Sequence, residues 1–372
     1  MAETNRVGLQ RWIWRAFVRS ALIPLVLVEA ALIAIYLFSN AAIRDEQTSY
    51  LRQAALTELS SAAQLEQLAA LTDGYRNLVA EALAKPMTLP DVEIDRTDSG
   101  VMFSPRDAGG AAVFYSGATA PERQDLDKVR RLTTLDPVMR ELQRSNPLIA
   151  SVYFNSWDSL NHIYPWFHTA EQYPHDMVIP DYNFYYLADA EHNPSRGVVW
   201  TDVYLDPAGQ GWMMSAIAPV YREDFLEGVV GIDVTVDGIL SEINSLPVPW
   251  DGYAMLISSD MNIMAMPPKA EQDFGLQELT SHTYQEAIRR EIFKPADFNL
   301  AQRAETAGLA EVLQARDQGV EQLKLNDRAL LVGWERVEQT GWRLLTVVDE
   351  ETLFAQTNAL AEEYRRVGMW LI

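Results

Sequence analysis

Between Tyr153 and Trp212 the chain carries fourteen aromatic side chains in sixty positions, against 10% aromatic residues overall. Ring faces at that density can line a pocket for a planar ring or an organic cation, although sheets also use aromatics for core packing. Two clusters exceed what a one-faced sheet can bury: Tyr164, Trp166 and Phe167, and the run Phe184, Tyr185, Tyr186. Neighbouring residues on a strand point to opposite faces, so such runs cannot be wholly core. Downstream, Asp233 closes the apolar stretch Gly228 to Ile232. A carboxylate buried there needs a cation or several donors to meet it. Asp202 and Tyr204 form a second polar pair for a pocket wall, while Thr201 and Asp202 equally suit a turn cap. The candidate ligand-binding set is therefore Trp157, Trp166, Tyr185, Tyr186, Asp202, Tyr204 and Asp233.

Other chemistry finds little support. His162, His168 and His175 have neither the spacing of a helical HExxH site nor that of a tight strand chelate, so no metal or cofactor is expected, even with Asp176 and Asp181 nearby. The chain has no Gly-rich phosphate loop, no Gly-x-Ser-x-Gly elbow and no kinase catalytic loop, and Gly209 and Gly211 read as a hairpin turn. Catalysis within these residues is not expected. With 52 acidic against 30 basic side chains and a net charge of -22, most of the surface repels a phosphate backbone, which argues against nucleic acid. The absence of cysteine rules out a disulfide framework and cysteine-ligated metals.

These residues need positioning elements, and the first is a membrane anchor. Residues 21–38 form an apolar run interrupted by one ionisable residue, Glu29. At ~1.5 Å per residue it crosses most of a ~30 Å hydrocarbon core. Arg6, Arg11, Arg15 and Arg19 precede it against the single acid Glu3, which predicts a cytoplasmic N-terminus. Arg365 and Arg366 lead into another apolar run, 367–372, which reads as the start of a second membrane helix.

Residues 41–85 have helical apolar spacing and stop at Pro86, predicting one long helix. A second helix is expected over 122–145. β-rich runs follow at 149–157, 161–167, 212–221 and 226–236, then, after the Pro247 and Pro249 linker, at 253–258, 262–266, 322–324, 328–337 and 342–348, with a helix over 276–291. Turn residues between the runs argue for antiparallel sheets. The expected fold class is α+β, with two PAS-like antiparallel-sheet modules stacked along a long N-terminal helix, plus a transmembrane helix. The boundaries are 1–20 cytoplasmic, 21–39 transmembrane, 40–89 stalk helix, 90–245 distal module, 246–348 proximal module, 349–366 return helix and 367–372 second membrane helix.

The long juxtamembrane helix, the runs Trp200 to Asp206, Ala218 to Tyr221, Gly228 to Asp233 and Thr340 to Val348 resemble, in that order, the double Cache domain of bacterial chemoreceptors, sensor histidine kinases and cyclic-di-GMP enzymes. The resemblance spans roughly residues 40–366 and implies a ligand in the membrane-distal module. In members that bind amino acids, an Arg-x-Trp-Tyr element holds the ligand carboxylate and an aspartate on a later strand holds its ammonium. Asn183, Phe184, Tyr185 and Tyr186 align with the first and Asp233 with the second. The aromatic pair and the acid match; Asn183 replaces the arginine, and an amide cannot supply its charge-assisted bidentate contact.

The expected protein is thus an inner-membrane sensor with residues 41–364 periplasmic, forming a homodimer. Its expected partner is a small ligand, an organic amine in preference to an amino acid or heterocycle. Two other readings stay open: a module docking a periplasmic binding protein, and a divalent-cation sensor exploiting the acidic exterior.

Overall fold

The computed structural model describes residues 11–23, 59–245, 248, 250–279, 290–338 and 340–355, with isolated positions between 26 and 49 and at 359 and 366. Glu29, most of the apolar run 21–38 and the whole of 367–372 lie outside the described residues. Among the described residues no helix is long and apolar enough to cross a membrane.

Helix α1 (Leu59–Ala84) presents Leu65, Leu68, Thr72, Tyr75, Val79 and Ala82 as one buried stripe at alternating three- and four-residue intervals. It lies on a nine-stranded antiparallel sheet, packed chiefly against β8 (Trp212–Arg222) and β9 (Phe225–Thr235). The strand order is β1 (Asp95–Arg96), β2 (Met102–Phe103), β3 (Ala112–Tyr115), β5 (Leu160–Tyr164), β4 (Ile149–Ser156), β9, β8 and β6 (Val199–Trp200), with β7 (Tyr204–Leu205) also on β8.

Strand periodicity divides the central strands into two faces. Val152, Phe154, Met214, Ala218, Val230, Ile232 and Val234 enter the core shared with α1. Tyr153, Met213, Ile217 and Val229 enter a second core on the opposite face, closed by residues 173–188. Gly231 is required by this second layer. It pairs with Tyr153, and a β-carbon at 231 would overlap the Tyr153 ring and hydroxyl. Gly231→Ala should therefore cost about 1–3 kcal/mol through overpacking, seen as a lower midpoint in urea unfolding at an unchanged slope.

The helix expected over 122–145 is two helices, α2 (Leu126–Thr133) and α3 (Asp136–Ser145). Pro137 sits in the first turn of α3, where it needs no amide hydrogen; inside a continuous helix its ring would clash with the preceding turn. Asp125 caps α2, accepting a hydrogen bond from the Lys128 amide at 3.0 Å. Strand β5 stops at Tyr164, short of the expected 167, where a cis peptide bond leads into Pro165.

A separate five-stranded antiparallel sheet follows, in the order β11 (Ile263–Ala265), β10 (Tyr253–Ile257), β14 (Arg343–Asp349), β13 (Arg328–Arg336), β12 (Gln318–Leu325). Its core is built on Met255, Ile257, Phe274, Trp334 and Leu345. The helix expected over 276–291 is corrected at both ends: 276–279 and 290–291 are not helical, and 280–289 lie outside the described residues. Residues 291–293 instead run beside the first sheet. The Leu205 amide donates to the Ile292 carbonyl at 2.8 Å, and Tyr204 forms an antiparallel bridge with Phe293.

Candidate ligand cavity of the first sheet

The second face of the first sheet, away from α1, opens into a narrow cleft with about 20 Å³ of free space. Strands β4, β5 and β9 supply Tyr153, Asn155, Asn161, Ile163 and Asp233 from its floor; Tyr173, Met177, Ile179 and Phe184 cover it, and Tyr204, Asp206 and Pro207 close one side.

Asp233 is almost fully buried, and its two cross-strand partners are both serines: Ser151 on β4 and Ser215 on β8. Ser215 Oγ donates to Asp233 Oδ1 at 2.6 Å, and Ser151 Oγ donates to Oδ2. Since the Ser215 hydrogen is used on the carboxylate, Tyr204 Oη donates to Ser215 Oγ at 2.8 Å. Asp206 enters the same cavity from the β7–β8 turn, accepting from the amides of Ala208 at 3.0 Å and Gln210 at 3.2 Å. Tyr153 Oη faces this group without the alignment of a hydrogen bond.

Burial raises both acids. Asp233 is pushed up to about 7, first by desolvation and then by the charge of Asp206, against the opposing hydrogen bonds of Ser151, Ser215 and Tyr204. Asp206 is pushed up to about 6 by desolvation, opposed by its two backbone donors. Burial also lifts the hydroxyls of Tyr153, Tyr173 and Tyr204 well above the usual tyrosine value, helped by Asp233 at Tyr153 and Tyr204 and by Asp206 at Tyr173, so all three remain protonated. The cavity lining holds two carboxylates and no lysine or arginine.

Of the seven residues singled out from sequence, Tyr204 and Asp233 line this cavity and the other five do not. Trp157 is half exposed at the β4–β5 turn, edge-to-face with Phe225 at 5.6 Å, beside a different, polar cavity that includes Lys128, Asp158 and Arg222. Trp166 Nε1 donates to Ser104 Oγ at 3.2 Å. Tyr185 is buried in the second core. Tyr186 Oη donates to Glu291 Oε2 at 3.2 Å, and Glu291 also accepts from the Asn183 amide. Asp202 accepts from Asn262 Nδ2 at 2.6 Å, tying the two sheets together. Asn183, at the position of the expected arginine, is buried outside the cavity, with its Oδ1 on the Phe184 amide at 2.7 Å.

Ser151, Ser215, Asp206, Tyr153, Asn155, Asn161 and Tyr173 escaped the sequence reading. The signal for the serines was a hydroxyl at an inward position of an otherwise apolar strand, and Asp206 ends the Trp200 run already noted. The histidines do not converge: among the described residues no three metal-ligating side chains of histidine or acid type form a group.

No family model matches the sequence. The structure, however, aligns with the ligand-binding domain of the Pseudomonas aeruginosa amino acid chemoreceptor PctB in complex with L-Arg, covering 84% of this chain and 98% of that one, at a TM-score of 0.51 and 15% identity. The extracellular domain of the histidine kinase soHK1S-Z6 aligns over 85% of this chain and 98% of its own, at a TM-score of 0.52 and 14% identity. The fold is that of a Cache-type sensor domain. The methyl-accepting chemotaxis protein McpC of Bacillus subtilis is 18% identical over 233 residues, 63% of this chain. The chain spans 29% or less of the length of the curated relatives it matches. The Cache-type fold accounts for the long helix on one face of the first sheet and the cavity on the other.

Proposed function

We propose that the chain is the extracytoplasmic sensor region of a bacterial transmembrane signalling receptor, built of two PAS-like modules, and that it recognises a small primary amine in the distal cavity. In this reading residues 21–39 anchor it in the inner membrane, residues 41–364 lie in the periplasm and the protein acts as a homodimer that binds and transmits without catalysis. The observation that carries the amine is the convergence of Asp206 and Asp233 in an aromatic cavity whose lining has no cation. Buried carboxylates without a counter-charge are costly, and an ammonium group relieves that cost. Its three donors suit Asp233, Asp206 and Tyr153, while the tyrosine faces add cation–π attraction. A docking face for another protein is less well supported, because Trp157 alone of the fourteen aromatics is exposed.

The raised acids provide the test. Between the unfolded value of 3.8 and the native values of about 6 and 7, the native state holds protons that the unfolded state has released, so stability without ligand falls as pH rises through this window. Ammonium affinity moves the opposite way, since only ionised carboxylates attract it. The other titratable groups facing the pair, Tyr153, Tyr173 and Tyr204, stay neutral throughout. Titration calorimetry of n-pentylamine should show affinity tightening from about pH 5 to about pH 8, with the change centred near pH 6–7. Affinity that is flat or weakens over this range would sink the reading.

A further inference from the structure

The acids occupy one end of the cavity only. At the other end Asn155 and Asn161 stand opposite each other on β4 and β5, both almost fully buried, with Asn161 Nδ2 donating to Asn155 Oδ1 at 2.8 Å. Asn161 Oδ1 has no hydrogen-bond partner, although the residue is 5% exposed and lines the cavity. A buried carbonyl oxygen of this kind is costly when left unpaired, and the missing partner must be a donor. Along β4, Ser151 marks the level of Asp233 and Asn155 the level of Asn161. Four residues of strand put these levels about 13 Å apart. With about 3 Å of hydrogen bond at each end, a bridging molecule spans about 7 Å, the length of roughly five or six bonds.

Resting on the amine reading above, we propose that the ligand is a slender ω-substituted amine whose far group is a neutral hydrogen-bond donor, an amide or hydroxyl, seated on Asn161. A carboxylate there meets the Asn161 lone pairs, with two acids and no cation in the lining. Phe184 and Ile163, apolar members of the lining, suit the unbranched methylene chain between the two ends, and with about 20 Å³ of free space the lining side chains must move apart to admit it.

The test uses four probes of matched length with the 372-residue chain in detergent: 5-aminopentanamide, 5-aminopentan-1-ol, 5-aminopentanoate and n-pentylamine, each titrated by calorimetry at about pH 8. The amide and the alcohol should bind about tenfold more tightly than pentylamine, and 5-aminopentanoate no more tightly than pentylamine. Asn161→Ala should bring the amide to within about twofold of pentylamine, both measured on the variant. If 5-aminopentanoate matches or beats the amide, or if Asn161→Ala leaves the amide-to-pentylamine ratio intact, this inference fails while the amine reading stands. If none of the four binds, both fall.

Discussion

Asp233→Asn is expected to weaken binding of a primary amine by about 2–5 kcal/mol, the usual loss when one partner of a buried, hydrogen-bonded charge pair is removed. The substitution keeps the shape of the side chain and its place between Ser151 and Ser215, so packing changes little. What disappears is the charge. The empty protein should respond in the opposite sense at about pH 8: a neutral amide no longer bears the desolvation that pushes Asp233 up to about 7, and thermal stability should hold or rise. This opposition separates a ligand anchor from a carboxylate held for folding, for which binding and stability would fall together. Calorimetry paired with thermal melts reads both quantities. An amine whose affinity survives the change within about twofold would remove Asp233 from the site.

The largest stability loss is expected from Lys294→Met. The Lys294 ammonium is buried between Glu278 Oε1 at 2.5 Å and the Met264 carbonyl at 2.9 Å, 4.8 Å from the Phe298 ring, and burial lowers its pKa against the raising effect of Glu278. Glu278 also accepts from the Met266 amide at 3.2 Å. Side-chain exposures of 3% and 5% leave water little access to either charge. Breaking such a pair from one side strands the other charge and costs about 3–5 kcal/mol. The double variant Lys294→Met, Glu278→Gln should recover much of that loss, because no charge is then left buried. Equal unfolding free energies for the single and double variants would show that the pair is not coupled in this way.

Much of the architecture was written locally. The β8–β9 hairpin is legible because two largely apolar runs flank Glu223 and Asp224, and the observed strands match the expected ones to within two residues. Asp233 stood out because a carboxylate interrupts an apolar strand. Its serines did not, because pairing decides their meaning: Ser151 lies 82 residues away in sequence. Tyr185 and Tyr186 misled for a related reason. They sit on a single helical turn, Asn183–Tyr186, where successive side chains diverge by about 100°, so Phe184 enters the cavity while Tyr186 turns to Glu291. Residues 276–279 and 290–291 carried helix-like spacing, yet the backbone hydrogen bond from Leu205 to Ile292 holds the end of this stretch extended.

That hydrogen bond, with the Tyr204–Phe293 bridge beside it, makes one residue common to two structures. Tyr204 contributes its ring to the cavity and its backbone to the bridge with Phe293, the residue before Lys294. A ligand that displaces the ring far enough to move its backbone must either stretch the Leu205–Ile292 hydrogen bond or drag residues 292 and 293 with it. Because Lys294 is clamped immediately downstream, the second outcome is transmitted as strain into the buried ion pair rather than lost in solvent. The seam thus joins the cavity wall to the buried ion pair through two consecutive residues, Phe293 and Lys294.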